Sequence, residues 1–174
     1  MENSSTADLA AELLVAPTAL MQLTPADARV VVRYMQPHRI EEGTTFIKEG
    51  DTRDTDFMML ILDGEVTVET IVVSRIEPVT VTVLGRGSLV GEMGLLDGEP
   101  RAASCTASSP LSCAILSRQA LEALMEDNPL VAAKLMLAVA LRIAARLRDN
   151  ADKLKMYVQL TQVMQQEISH RAPG

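Results

Sequence analysis

The distribution of turn-forming residues divides this chain into two parts of different character. All glycines except Gly174 lie between residues 43 and 98, whereas residues 130–172 contain neither glycine nor proline. From about Arg39 to Leu116, short runs rich in Val, Ile and Thr are separated by Gly or Pro, which is typical of antiparallel sandwiches, jelly rolls and barrels. We therefore predict an α+β chain with a central β region followed by helices.

Two helices are predicted after the β region. Ser117 caps a short helix to Glu126, and Asn128-Pro129 begins a second helix that meets no breaker before Pro173. Further along, apolar residues follow a seven-residue repeat with two polar interruptions, which predicts a two-stranded coiled coil between identical chains. The alternative is a helix that folds back on its own domain. The repeat consists of Ile143, Leu147, Leu154, Tyr157, Met164 and Ile168, with Asn150 and Thr161 as the polar positions.

The N-terminal region contains two further candidate helices. Residues 1–8 are small and polar, so we expect them to be frayed, and Leu9–Val15 to form a short helix. Thr24-Pro25 is a strong helix start, and the helix is expected to reach Met35.

Two local patterns within the β region predict particular strands. Asp63-Gly64, between Met58–Leu62 and Glu65–Ile71, predicts a β-hairpin. Alternating Val and Thr predict a half-buried strand at Val79–Leu84.

Composition limits the classes of function. With no Trp, two Phe and two Tyr in 174 residues, the core must be aliphatic. A net charge of −7 argues against a bare nucleic-acid binder. Neither a membrane span nor a basic secretion signal is recognisable, so a cytoplasmic location is expected. Cys105 and Cys113 are interpreted as reduced core cysteines, with a disulfide or a redox sensor as the alternative.

The glycine-rich segment 91–103, here called the cassette, carries the residues best suited to bind a phosphate ester. Arg101 is a permanent cation whose donors match two phosphate oxygens. Gly91 and Gly94 allow the backbone to approach an anion closely. Glu92 suits a sugar hydroxyl better than a phosphate, which it would repel. Pro100 stiffens the approach to Arg101. These residues predict a pocket for a sugar phosphate.

The cassette reads Gly-Glu-Met-Gly-Leu-Leu, a short loop, and Pro-Arg-Ala-Ala. It resembles the phosphate-binding cassette of cyclic nucleotide-binding domains, as in bacterial catabolite activators, regulatory subunits of cAMP-dependent protein kinase and cyclic-nucleotide-gated channels. Ile47–Asp51 and Phe57–Val66 fit the same family, and together the motifs cover roughly residues 20–150.

The resemblance implies an eight-stranded antiparallel β jelly roll flanked by N-terminal helices and a long C-terminal dimerisation helix. The implied boundaries are 1–19 for a tail and short helix, 20–128 for the nucleotide-binding domain, and 129–170 for the long helix. It further implies that Glu92 binds the ribose 2′-hydroxyl and Arg101 the cyclic phosphate. Backbone N–H groups near Gly91, Met93, Ala102 and Ala103 would complete the site.

Three of these assignments have alternatives. Arg101 could form a surface ion pair with Glu99 or Asp97, and Glu92 could cap a short turn of helix. Asn150 could contact an adenine edge or only set the coiled-coil register. Ala102 stands where some family members have Ser or Thr, and the missing hydroxyl favours cAMP over cGMP.

We expect a non-enzymatic sensor, without cofactor or metal, that binds cAMP and signals to an unknown partner protein through its long helix. Because the chain ends where a helix-turn-helix domain would begin in catabolite activators, a stand-alone module is expected, which would not bind DNA by itself. The alternatives are a cGMP or cyclic di-GMP receptor, a vestigial pocket, or the N-terminal effector-binding part of a transcription regulator. A cupin-type metalloenzyme is disfavoured because residues 39–116 contain no histidine.

Overall fold

The computed structural model describes residues 2–17, 19, 20, 22–71 and 78–171. The chain forms two compact units, Met1–Val139 and Ala140–Gly174. The described helices are α1 (Glu2–Leu14), α2 (Pro25–Val32), α3 (Glu92–Asp97), α4 (Arg118–Asp127) and α5 (Pro129–Arg171). The described strands are β1 (Gln36–Ile40), β2 (Thr45–Ile47), β3 (Phe57–Asp63), β4 (Val66–Ile71), β5 (Pro78–Leu84), β6 (Leu89–Val90), β7 (Ser104–Ala107) and β8 (Leu111–Ser117).

The described strands form two antiparallel sheets within the first unit. One sheet has the order β1-β8-β3-β6 and the other has the order β2-β7-β4-β5. The predicted α+β class is confirmed, and so is a strand where Val and Thr alternate, but its expected half-burial is wrong, because Val81 and Val83 are 50% and 55% exposed. That strand, β5, pairs with β4 over its full length, from Val66 opposite Leu84 to Ile71 opposite Pro78.

The hairpin predicted at Asp63-Gly64 is wrong, because the strands on either side of it belong to different sheets. β3 pairs with β6 and β8, whereas β4 pairs with β5 and β7. Gly64 has a φ of 94°, and a Cβ atom there would lie 2.5 Å from the Pro110 carbonyl oxygen. Gly64 therefore allows the chain to pass from one sheet to the other in a tight turn. Such a turn has the same local sequence as a hairpin turn.

An aliphatic core joins the two sheets, as the composition predicts. Residues from both sheets contribute to it, including Ile47 and Val66 from one and Met59 and Ile61 from the other. Both cysteines are buried free thiols in this cluster, which confirms the interpretation as core cysteines. Burial raises the pKa of Cys113 to about 11. That thiol therefore stays protonated at neutral pH.

The N-terminal helices differ from their predicted limits. α1 begins at Glu2, so residues 2–8, which were expected to be frayed, are helical, and Met1 lies outside the described residues. Small polar residues are tolerated in the first turn of a helix, and the Ala- and Leu-rich sequence that follows can propagate it. α2 begins as predicted but ends at Val32, where the chain tightens into a turn through a bond from Tyr34 N to Val31 O.

Thr24 and Asp27 form a capping box at the start of α2. The Asp27 amide donates to Thr24 Oγ1, and the Thr24 amide donates to the Asp27 carboxylate. The same carboxylate accepts from Lys134 Nζ of α5 at 2.9 Å. The hydrogen bond from Lys134 is the main reason that the pKa of Asp27 lies below its usual value. One carboxylate thus caps α2 and fastens the first turns of α5 to it.

The two C-terminal helices begin at the predicted caps. Ser117 Oγ accepts from the Ala120 amide at the start of α4. α5 is a helix of 43 residues, as the absence of breakers predicts. Its first turns bury Ala132, Leu135, Ala138 and Val139 within the first unit. In the second unit, the predicted seam residues Leu147, Leu154, Tyr157 and Met164 are exposed.

Candidate functional site

The cassette connects β6 to β7 and contains the short helix α3. Gly91 precedes α3 with a φ of 79°, and Gly98 follows it with a φ of 68°. Both angles lie in the left-handed region that favours glycine. Two glycines at these positions let the chain enter and leave a helix of less than two turns. The segment then leads directly to Arg101.

The Arg101 guanidinium is held inside the protein by backbone carbonyl groups. Its side chain is only 6% exposed. Nη2 donates to the Asp54 carbonyl at 2.8 Å, and Nη1 donates to the Gly91 carbonyl at 3.1 Å. Both nitrogens lie 3.4 Å from the Phe57 carbonyl oxygen. The guanidinium carbon lies 4.5 Å from the centre of the Phe57 ring, a cation–π distance.

The alternative of a surface ion pair for Arg101 is therefore wrong. Its donors point at main-chain oxygens, and neither Glu99 nor Asp97 takes part in the hydrogen bonds that hold it. Burial lowers the pKa of Arg101, while nearby charges, among them those of Asp51, Asp54 and Asp56, oppose this shift. An arginine stays protonated in such surroundings. The site thus contains a buried positive charge.

One donor of this arginine remains unmatched. Nε of Arg101 is buried and has no hydrogen-bond acceptor within the part of the chain that the structure describes. A buried donor without a partner costs about 1–3 kcal/mol. An anionic oxygen beside Nε would remove that cost and compensate the buried charge at the same time. This unmatched donor is the feature of the site that best fits an anion.

Gly91 and Gly94 make room for the guanidinium. A Cβ atom on Gly91 would lie 2.9 Å from Arg101 Nη1. A Cβ atom on Gly94 would lie 2.8 Å from the same nitrogen and 2.5 Å from the Thr55 carbonyl oxygen. The sequence predicted that these glycines admit an anion. The structure shows a second reason for them, which is space for the arginine itself.

The backbone of Arg101 joins the cassette to the motif Ile47–Asp51. The Arg101 amide donates to the Asp51 carbonyl at 3.0 Å, and the Arg101 carbonyl accepts from the Gly50 amide at 2.8 Å. The two motifs, about 50 residues apart in sequence, are therefore paired in space. This pairing fixes the backbone of Arg101. The carbonyl groups of residues that lead into β3 hold its side chain, so both ends of the arginine are fixed.

The other predicted site residues have different exposures. Glu92 lies in the first turn of α3 and is 1% exposed, which is unusual for a carboxylate. Met93 and Ala102 are exposed, while Gly91 and Ala103 are partly buried. Asn150 is an exposed residue of the second unit. The structure therefore brings together the residues from 91 to 103, and the role of Asn150 stays a prediction.

Sequence reasoning did not identify the residues that hold the arginine. Asp54 and Phe57 contribute through carbonyl groups, and every residue has a carbonyl group. Asp54 alone has an unusual backbone, with a φ of 54°. Asp tolerates this conformation better than most residues, but no sequence pattern requires it. Only the Phe57–Val66 motif pointed to this part of the chain.

Comparison with known proteins identifies the class. The family described as "Cyclic nucleotide-binding domain" matches residues 37–128, more than half of the chain. The protein belongs to this family, which confirms the resemblance drawn from the cassette. Domains of this family are sensors. The fold is the one expected for them, with antiparallel sheets in a barrel-like arrangement and a long C-terminal helix.

Individual relatives are of several kinds. A crystal structure of a cyclic nucleotide-binding domain from Methylobacillus flagellatus has a TM-score of 0.75 and 29% identity, covering 88% of this chain and 84% of that one. The regulatory domain of Toxoplasma gondii cAMP-dependent protein kinase (PKA), crystallised with cAMP, has a TM-score of 0.60 and 28% identity, covering 68% and 44%. A cyclic nucleotide-gated potassium channel from Rhizobium etli is 31% identical over 120 residues, which are 68% of this chain and 31% of the channel.

The chain thus corresponds to less than a third of the length of that channel. No helix-turn-helix domain is detected in the chain described here. Within residues 2–17, 19, 20, 22–71 and 78–171, no helix has both the length and the apolar character needed to cross a membrane.

Proposed function

We propose that the protein is a non-enzymatic sensor that binds cAMP in the cassette. The observation that carries this proposal is the buried Arg101 with its unmatched Nε donor, held against two glycines. Cyclic mononucleotides such as cAMP carry a single negative charge on a phosphate, which suits one buried cation. For the β region we propose an eight-stranded jelly roll, which the strand order of the two sheets supports.

In this proposal each cassette residue has a separate task. Arg101 binds the cyclic phosphate, and backbone N–H groups near Gly91, Met93, Ala102 and Ala103 complete the phosphate site. The Glu92 carboxylate accepts a hydrogen bond from the ribose 2′-hydroxyl.

Two observations favour cAMP over other cyclic nucleotides. Ala102 supplies no hydroxyl for a guanine amino group. The Toxoplasma gondii regulatory domain, which shares 28% identity, was crystallised with cAMP. A cGMP or cyclic di-GMP receptor is the second candidate, because the family also includes channels named only as cyclic nucleotide-gated.

We further propose that two copies pair through α5 and that this helix passes the signal to a partner protein in the cytoplasm. The pairing is supported by the exposed seam residues, because exposed apolar side chains do not stabilise a single helix, whereas pairing would bury them. These residues are Leu147, Leu154, Tyr157 and Met164. Asn150 would contact the adenine edge or set the register. An effector-binding part of a transcription regulator remains the other form that this output could take. A signal requires that cAMP bind one state of the helix more tightly than another.

Isothermal titration of nucleotide-stripped protein with cAMP, cGMP and cyclic di-GMP tests the proposal. Arg101→Ala should reduce cAMP affinity about 10- to 100-fold, because one charge-assisted hydrogen bond from Nε contributes roughly 1.5–3 kcal/mol. Arg53→Ala is the matched control, since Arg53 is exposed and its removal changes the net charge equally.

A second variant guards against loss of fold in Arg101→Ala. Glu92→Gln keeps the size of the side chain. It should lower the affinity for cAMP by about tenfold, while the variant unfolds in urea as wild type does. Binding of no nucleotide by the wild type, or equal affinity in Arg101→Ala, would refute the assignment of the pocket. Preferential binding of cGMP or cyclic di-GMP would replace cAMP with the second candidate.

A further inference from the structure

The second unit carries an apolar stripe on α5 in addition to the predicted seam. Met156, Leu160 and Val163 are each more than half exposed. Their spacing of four and three residues places them on one side of the helix, here called the second stripe. At 3.6 residues per turn, this side lies roughly 100° around the helix from the side that carries Leu154 and Tyr157. A helix with two such stripes can contact two neighbouring helices.

Pairing along the seam alone would leave the second stripe largely exposed. A two-stranded coiled coil buries its seam residues and partly covers the positions directly beside them, which are usually charged. Here Leu160 is the residue beside the seam, and Met156 and Val163 lie beyond it. Residues 156–166 contain no charged residue at all. Contiguous exposed apolar surface of this kind marks an interaction site.

Charges at the two ends of the second stripe indicate what covers it. In the sequence, Lys153 lies seven residues before Leu160 and Glu167 lies seven residues after it. If two copies of the stripe pack antiparallel, Leu160 faces Leu160, and Lys153 of each copy faces Glu167 of the other. Parallel packing would instead place like charges opposite each other at both ends, which is unfavourable. The stripe is thus complementary to itself in one orientation, as a two-fold contact between identical chains requires.

We propose that the second stripe packs antiparallel against the same stripe of another copy of this chain, so that seam-paired dimers associate further. The inference rests on the proposed pairing through α5, to which it adds a second contact between copies. Three apolar residues per chain make a contact far smaller than a stable interface needs. We therefore expect it only between helices already paired along the seam, where each dimer presents two stripes at once.

Sedimentation of wild type over about a hundredfold range of protein concentration tests the inference, because association follows mass action. Wild type should exceed the mass of a dimer as the concentration rises. Met156→Glu should remain a dimer throughout, since it places a carboxylate within the apolar stripe. Gln162→Glu is the matched control, because it adds the same charge at an exposed position on the opposite side of the helix, and it should sediment as wild type does.

Charge exchange tests the antiparallel orientation. Lys153→Glu alone and Glu167→Lys alone should each weaken the association of dimers several-fold, whereas the double variant should restore it. A parallel contact predicts no change in either single variant, so that result would overturn the inference.

Two results of the sedimentation would also overturn the inference. Met156→Glu assemblies as large as those of wild type would place the contact elsewhere. A wild type that stays dimeric at every concentration would leave the stripe to a partner protein. A monomeric wild type would refute the pairing along the seam as well, and calorimetric binding of cAMP then decides separately whether the proposed sensor stands.

Discussion

Replacement of Gly94 by alanine separates the two physical effects that act on the cassette helix. Gly94 lies within α3 and does not have a positive φ. On helix propensity alone, alanine should stabilise the protein by about 1 kcal/mol. The new Cβ, however, would lie 2.5 Å from the Thr55 carbonyl oxygen and 2.8 Å from Arg101 Nη1. These atoms cannot move aside independently, because one is backbone and the other belongs to a guanidinium held by three carbonyl groups.

We expect the steric effect to exceed the propensity effect. Overpacking of a buried site typically costs about 1–3 kcal/mol, and the upper part of that range applies where backbone must shift. After subtraction of the propensity gain, Gly94→Ala should lower the free energy of unfolding by about 1–2 kcal/mol. Displacement of the guanidinium should also weaken the binding of cAMP at least tenfold, since small misplacements of a charged group have large effects on its interactions.

Urea unfolding followed by circular dichroism measures the first quantity, and calorimetric titration measures the second. Gly85→Ala is the matched control. No described atom lies within 4 Å of a Cβ atom at Gly85, and its φ is not positive. This control should be neutral or slightly stabilising. A Gly94→Ala protein as stable as wild type, with unchanged cAMP affinity, would show that the arginine does not need the space these glycines provide.

Two further predictions concern the helices. Asp27→Asn should lower the free energy of unfolding by about 1–2 kcal/mol, because it weakens the capping box and the contact to Lys134. Because the pKa of Asp27 is lower in the folded protein than in the unfolded chain, its contribution is complete above the unfolded pKa and is lost as the pH falls through the folded pKa. The difference between wild type and Asp27→Asn in urea unfolding should therefore shrink below about pH 4, and a constant difference would contradict this. Leu154→Glu should give monomers in sedimentation, whereas Met156→Glu, exposed but outside the seven-residue repeat, should not; dimers that persist in Leu154→Glu would place the contact elsewhere.

Features that depend on neighbouring residues in sequence were predicted well. The caps at Thr24 and Ser117 were identified because a capping hydroxyl needs only the amide three residues further on. The length of α5 followed from the absence of Gly and Pro after Pro129. The cassette was identified because its residues are close in sequence. In each case the interacting groups lie within a few residues of one another.

Features that depend on remote residues were missed or misassigned. The sequence Asp63-Gly64 is equally compatible with a hairpin and with a crossing between sheets, and only the pairing of β3 with β8 decides between them. The unexpected start of α1 at Glu2 is a feature of the same kind. The conformation of residues with weak helix propensity depends on the segments that they adjoin. Local propensity is a weak determinant wherever tertiary contacts compete with it.

The sequence by itself determined the class of this protein, the succession of N-terminal helices, a β region and C-terminal helices, and the residue best suited to bind phosphate. Only the tertiary structure decided how Arg101 is held and why glycine is needed beside it. The carbonyls of Asp54 and Phe57 lie 47 and 44 residues from the arginine that they bind. Because every residue carries a carbonyl group, side-chain sequence cannot indicate which ones converge on a buried charge. Folding alone brings them together.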